Sequence, residues 1–517
     1  MSGGIAVKRV FAILCCLMLL CGCQTDLDSY VPTGDGLTWD DPQHQSADQQ
    51  QDSKKGLTLI YYPGKTLNPL KCTDFTNRAL LSLMYQGLFT ADRNYEVHPI
   101  LCKNYRMSQD MKTYTFYLEN ATFSDGTALT TADVVATLEA AKSSPYYAGR
   151  FQHIKTISSG EDGSVVVTTS TPMENLPLLL DMPILKASEL EANHPSGTGP
   201  YYLDTAGDTA LLRRRADWWC KAATVVTSQV IVLKEAVDAP QIRDSFEFDS
   251  LDLVCADPGS DRYADYRCDF ELWDSENGIF LYLLCNMDSP VFSNDAVRSA
   301  LTTAIDRNAL VEAEYRGFAR SATLPASPAS PYYSQVLAEK YVYDGTGETL
   351  KNAVSDARMA GTEITLLVNS GDSLRVRLAY SIAQMLEKAD LKVTVTECKE
   401  SVFLKTLKNR TFDLCLSQTK LSPNMDLSPF FSTSGSLSYG KIHDSSIFAL
   451  CKEALANHGN YYTLHQTIMN DGRLCPILFR SYAVYATRGL LTELTPARDN
   501  IFFYTLEKTM DSIYIAE

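Results

Sequence analysis

The chain has 517 residues, 45% of them hydrophobic and 21% charged, enough for two or three domains around a large core. Its formal net charge is −16 at pH 7. A body this acidic lacks the clustered Lys and Arg that phosphate neutralisation needs, which excludes nucleic acid as a partner, and an anionic lipid surface repels it.

In chain order, Lys8 and Arg9 come first, ahead of an apolar run from Val10 to Leu20 that ends in Leu20-Cys21-Gly22-Cys23. A short basic head, a short apolar core and a small residue before cysteine describe a cleaved secretory signal. The run is too short to span a bilayer. Its last four residues resemble the bacterial lipobox, Leu-x-Gly-Cys. That resemblance implies a signal peptide over 1–22 and acylation of Cys23 as the new N-terminus. The protein is then lipid-anchored on the extracytoplasmic face of the bacterial cell membrane, held by its acyl chains rather than by a basic patch. Residues 23–55 are rich in Asp, Gln, Ser, Gly and Pro, as in Asp40-Asp41-Pro42 and Gln49-Gln50-Gln51. They cannot build a core and read as a solvated tether.

The globular part opens with the strand Leu57 to Tyr62, stopped by Pro63-Gly64. A helix is expected from Arg78 to Leu88, with Leu80, Leu81, Met84 and Leu88 on one face. Tyr114 to Leu118 reads as a strand and Ser124 to Thr127 as a turn. Thr130 or Thr131 then caps a helix through Ala141. Val165 to Thr168 and Val230 to Leu233 are further strands, and Gly197-Thr198-Gly199-Pro200 is a tight turn into Tyr201-Tyr202-Leu203. In the second half Ile279 to Cys285 is a nearly continuous apolar strand, followed by a helix from Asn294 to Leu310 and a Pro/Ser/Ala loop over 325–331. Next comes a βαβ unit: strand Ile364 to Val368, helix Leu374 to Ala389, strand Leu391 to Val395. The helix repeats Leu378, Ile382, Met385, Leu386 and Ala389 along one stripe, and the order predicts parallel pairing through the crossover. Phe412 to Leu416 continues the sheet. The class is mixed α/β in two lobes, with no internal repeat.

Fourteen cysteines include four in the signal and lipobox (Cys15, Cys16, Cys21, Cys23). The other ten are scattered without C-x-x-C spacing, and Cys285 and Cys415 lie in apolar strand contexts that suit buried thiols. Seven histidines are dispersed without H-x-x-x-H spacing, so no metal site is read locally.

Several stretches together resemble the extracellular solute-binding proteins of family five, receptors of peptide and nickel ABC importers. They are Leu67-Asn68-Pro69-Leu70, Tyr85-Gln86-Gly87-Leu88, His98-Pro99-Ile100-Leu101 and Tyr114 to Leu118. The long block from Phe123 to Val135, Gly197 to Tyr201, Val291 to Leu301 and Ala304-Ile305-Asp306-Arg307 complete the set. The resemblance implies a periplasmic-binding-protein-like (type II) two-lobe clamp. Lobe 1 would cover 56–278, with an extra subdomain over about 76–185 and completion by 480–517; lobe 2 would cover 279–479. The chain would cross between lobes near 275–280 and again near 478–482. A monomer is implied that closes on a small peptide or similar solute and docks on an ABC permease with its ATPase subunits, using no cofactor and catalysing nothing.

By position, the resemblance places Thr73, Asp74 and Phe75, in the loop from Cys72, and Tyr146 at the cleft. Aligned on Leu427-Ser428-Pro429, the family's tryptophan and amine-neutralising aspartate fall on Leu416 and Thr419. The carboxylate is missing, and a buried ammonium without a counter-charge costs several kcal/mol. Asp426 could substitute by reaching in from a shifted loop, whereas Lys420 would favour an anionic ligand. Two other functional classes stand beside this one. One is a clamp-type receptor or chaperone without a transport role. The other is a serine acyl enzyme, because Ser438-Tyr439-Gly440-Lys441 fits S-x-x-K; its companion Lys-Thr-Gly and Ser-Asp-Asn motifs are absent.

Overall fold

A computed structural model describes residues 56–517 apart from 221, 237, 260–264, 509–513 and 517. The signal peptide, Cys23 and the tether lie outside the described residues. Strand-forming runs of Leu, Val, Ile and Tyr assemble into one eleven-stranded mixed sheet. Its order from one edge is Lys392–Cys398, Glu363–Asn369, Leu414–Lys420, Phe270–Cys285, Leu474–Thr487, Leu253–Ala256, Leu57–Ile60, Val230–Lys234, Leu211–Arg214 and Tyr201–Asp204. Ala319–Ser321 pairs with Leu474–Thr487 off this path.

Two long antiparallel strands, Phe270–Cys285 and Leu474–Thr487, lie at the middle of this order. Their 270–276 and 481–487 ends adjoin Leu253–Ala256 and a first group of strands. The Ile279–Cys285 end pairs with Leu414–Lys420 in a second group. Register between the two strands shifts between Glu276 and Phe280. Gly278 sits in that bulge at φ +70°, where a Cβ would come 2.2 Å from Arg498 Nη2. Only glycine accommodates both the backbone and the close guanidinium.

The apolar strand Ile279 to Cys285 is buried on both faces, as its unbroken hydrophobicity requires. Leu281, Leu283 and Cys285 enter one core with the helices Asp295–Leu301, Arg307–Tyr315 and Ser373–Glu387. Phe280, Tyr282 and Leu284 enter another with the helices Ser445–Ala456 and Tyr461–Asp471, and that core also takes Ala91, Tyr95 and Leu178 from the first half. A third core gathers residues 57–253 with Val484, Ala486 and the segment to Phe502. A separate five-stranded sheet is ordered Tyr514–Ala516, Cys102–Met107, Thr113–Leu118, Val165–Thr169, Ile154–Ser159.

The βαβ unit forms as its pattern requires, with Glu363 opposite Lys392 in parallel register. Leu374, Leu378, Ile382 and Leu386 are buried along the helix stripe, each contributing roughly 1.5–3 kcal/mol. Two helices depart from expectation. The one expected over Asn294 to Leu310 is broken into Asp295–Leu301, a 3₁₀ turn and Arg307–Tyr315. Asp306 caps the second piece by accepting from Ala309 N at 3.0 Å, a local bond that outcompetes the apolar period. The helix expected over Arg78 to Leu88 is Phe75–Met84. Its end is fixed by the glycine turn: Gly199 N donates to Met84 O at 2.8 Å, and a Cβ on Gly197 would lie 2.0 Å from that oxygen. The strand read from Ile279 begins earlier, at Phe270. The ten described cysteines are free, Cys285 and Cys415 among the buried ones.

Candidate functional site

Asp74 caps the helix Phe75–Met84, accepting from Asn77 N at 3.0 Å. Asn77 is fully buried and clamps the helix to the end of the first strand, accepting from Tyr62 N at 2.9 Å and donating to Tyr62 O at 3.0 Å. These bonds turn Arg78 inward. Its guanidinium donates to Cys72 O (2.9 Å) and the Tyr147 hydroxyl (3.1 Å), and lies 3.2 Å from the Tyr146 ring centroid. Among the described residues no carboxylate makes an ion pair with Arg78.

From the second strand group, Lys420 ends the strand Leu414–Lys420 and reaches back. Its ammonium donates to Asn277 O (2.6 Å), to the Tyr146 hydroxyl (2.9 Å) and to Asp499, with an ion-pair distance of 2.7 Å. Tyr146 in turn donates to Asp499 Oδ1 at 2.5 Å. Asp499 comes from the C-terminal segment, at φ +59°, a left-handed conformation that Asp tolerates better than most residues. Burial alone would raise its carboxyl, but Lys420, Arg498 and Arg78 hold it well below the usual carboxylate range. Burial pushes the Lys420 ammonium down to about 7; Asp499 opposes this, and Arg498 and Arg78 reinforce it.

Two cavities of about 60 Å³ each flank this cluster and share Arg78 and Asp499 as lining. The more polar one is lined also by Arg150, Asp181, Arg498 and Tyr504, together with apolar side chains that include Leu81, Phe89 and Ile100. The other is more apolar, lined by Thr73, Phe75, Tyr146 and Tyr482. Phe75 stacks on Tyr482 with centroids 5.1 Å apart and planes 17° from parallel. The arrangement can surround a small solute with aromatic faces, guanidinium groups and two carboxylates, Asp181 and Asp499.

Of the residues singled out from sequence, Thr73, Phe75, Tyr146 and Lys420 are brought to this region. Asp74 is spent as a helix cap. Leu416 is fully buried in the second-half core between Leu283 and Val368, on a stretch of strand covered on both faces, with Cys415 equally buried in the opposite core. Thr419 is half-buried opposite Phe280 and lines neither cavity. Asp426 is buried away from both cavities, 3.0 Å from His153 Nε2 and accepting from Ser428 N at 2.8 Å. Lys441 commits its ammonium to Asp288, and the Ser438 hydroxyl is buried without a partner in a loop.

Sequence reasoning missed Arg78, Arg498 and Asp499. Arg78 carried a usable signal, three residues before Leu81 on the apolar face. Arg498 and Asp499 carried none, because a loop position acquires its neighbours only through the fold. Asp92, Glu96 and His98 also went unread: their ligand-type atoms lie within 4.8 Å of one another on a hairpin, where Asp92 already accepts from Asn94 N and Glu96 N.

Residues 96–440 match the family model of the bacterial extracellular solute-binding proteins, family 5. The glutathione-binding protein GsiB of Escherichia coli (strain K12) is 27% identical over 347 residues, 64% of this chain and 67% of that protein. Among solved structures, AppA from Clostridium difficile is similar with a TM-score of 0.71 at 18% identity, over 87% of this chain and 98% of that one. DppA from Helicobacter pylori, in complex with peptide STSA, gives 0.60 at 19% identity, over 88% and 97%. The fold is that of the type II periplasmic binding proteins. With two-thirds of its length inside the family match, this chain belongs to the family 5 bacterial extracellular solute-binding proteins, the solute-binding components of ABC importers.

Proposed function

We propose that this protein captures a peptide or similar small solute between the two strand groups and delivers it to an ABC permease. The lobes of the clamp are 56–278 with 480–517, and 279–479, with residues of about 76–185 as the added subdomain of the first. One observation carries the reading. Arg78 and Tyr146 from the first half, Lys420 from the second and Asp499 from the C-terminal segment converge in one half-buried cluster beside two cavities. A solute in either cavity touches the first half and the C-terminal segment, and Lys420 ties the second half to that lining through Tyr146 and Asp499, the coupling that ligand-driven closure requires. A glutathione-binding relative and a peptide complex among the similar structures support a peptide-sized solute. Attachment through an acylated Cys23 completes the proposal, and a Cys23→Ala protein is then expected in the medium instead of the membrane fraction.

The test is mass spectrometry of small molecules released on denaturing protein purified from its natural host. One unmodified solute in near-stoichiometric amount is expected. Release of a chemically converted product, or of nothing above a denatured-protein control, would count against capture.

A further inference from the structure

The cluster holds more positive than negative charge, although the whole chain is acidic. Arg78, Arg150, Lys420 and Arg498 face Asp181 and Asp499. Arg150 is answered by Asp181, and Lys420 by Asp499. Glu276, also near Arg498, bonds the Tyr95 and Ser327 hydroxyls and faces Arg320 at 3.8 Å. That leaves two guanidiniums. Arg78 hydrogen-bonds only carbonyls and a phenol and lies on the Tyr146 ring; Asp499 is near enough to act on its charge but makes no ion pair with it. Arg498 is 6% exposed; one nitrogen donates to Leu421 O, while Nε and Nη1 are buried without hydrogen-bond partners, and its nearest carboxylate contact is Asp499 at 3.9 Å. Both line the polar cavity. A buried guanidinium without an acceptor is costly, whereas Arg with a carboxylate forms strong charge-assisted bonds.

We infer that the captured solute is an anion that seats a carboxylate between Arg78 and Arg498 in the polar cavity. This rests on reading the cleft as the solute site. Lys420 is not the anion's partner, because Asp499 already occupies it. The carboxylate can belong to an acidic peptide or to a free organic acid, since both present the same group.

The test uses acetate as a minimal carboxylate and acetamide as its neutral isostere. Protein carrying ¹⁵N-labelled arginine is titrated while the side-chain Nε resonances are recorded, with Arg78→Lys and Arg498→Lys proteins assigning the two signals. Acetate is expected to shift both resonances saturably, and acetamide to leave them unmoved. If a lysine variant fails to fold, the full set of arginine signals in the unmodified protein still separates acetate from acetamide. No acetate response by about 100 mM, or an equal response to acetamide, overturns the inference. Release of a solute lacking any carboxylate does the same while leaving capture itself intact. A released peptide of net negative charge assigns the acidic-peptide source and a carboxylate without peptide bonds assigns the organic acid, whereas a neutral or cationic peptide overturns the inference.

Discussion

Lys420 is half-buried where the two halves meet, so its proton is tied to how the chain folds. Burial first, then Arg498 and Arg78, depress its pKa to about 7 from 10.5, with Asp499 opposing. Between those values the unfolded chain binds a proton that the folded chain does not. Stability therefore rises with pH through that window, and the penalty is fully present below it. In Lys420→Met this increment disappears. Urea unfolding at a series of pH values between about 7 and 10.5 is expected to show a steeper rise for the unmodified protein than for the variant. Parallel curves would mean that Asp499 and the other acceptors of the ammonium offset its burial. Asp499 completes the pair from a left-handed backbone position, and that choice of residue answers a conformational demand as well as an electrostatic one.

At the level of elements, the bulge at Glu276 to Phe280 does what neither long strand can do alone: it bends the middle of the sheet and aims Asn277 O at Lys420. Gly278→Ala places a methyl group against the Arg498 guanidinium at a positive φ. A loss of roughly 1–3 kcal/mol is expected, read as a lower urea midpoint with an unchanged slope. The elements legible in the sequence were those governed by local chemistry. The Thr130–Asp133 capping box fixes the start of its helix, and the βαβ stripe fixes which face of Ser373–Glu387 is buried. Less legible was whatever a distant partner decides. The helix Phe75–Met84 ends where Gly197 and Gly199 press on Met84 O, more than a hundred residues away in sequence. Half of the site shares that property. Tyr146 and Lys420 stood out by resemblance, but their acceptor, Asp499, sits on a loop whose sequence announces nothing.

Across the whole molecule, the proposed clamp is held shut by contacts that lie away from the cavities as well as beside them. His153 meets Asp426 at 3.0 Å, and Asn175 Nδ2 donates to the Tyr332 hydroxyl at 3.0 Å. Each joins the first half to the second, and neither residue pair lines the Arg78 cluster. Such bonds contribute on the order of 1 kcal/mol apiece, so removing two changes a closed-to-open ratio by roughly tenfold or more. A His153→Ala, Asn175→Ala double variant is therefore expected to show a larger radius of gyration without solute in X-ray scattering. It should also bind the released natural solute more weakly, by about twofold where the closed form dominates at the start and up to about tenfold where it does not, because closure now draws more of the binding energy. The two long strands remain continuous in either state, so circular dichroism should stay the same. Scattering identical to that of the unmodified protein would show that these pairs stabilise a rigid body, and that solute enters without the halves separating.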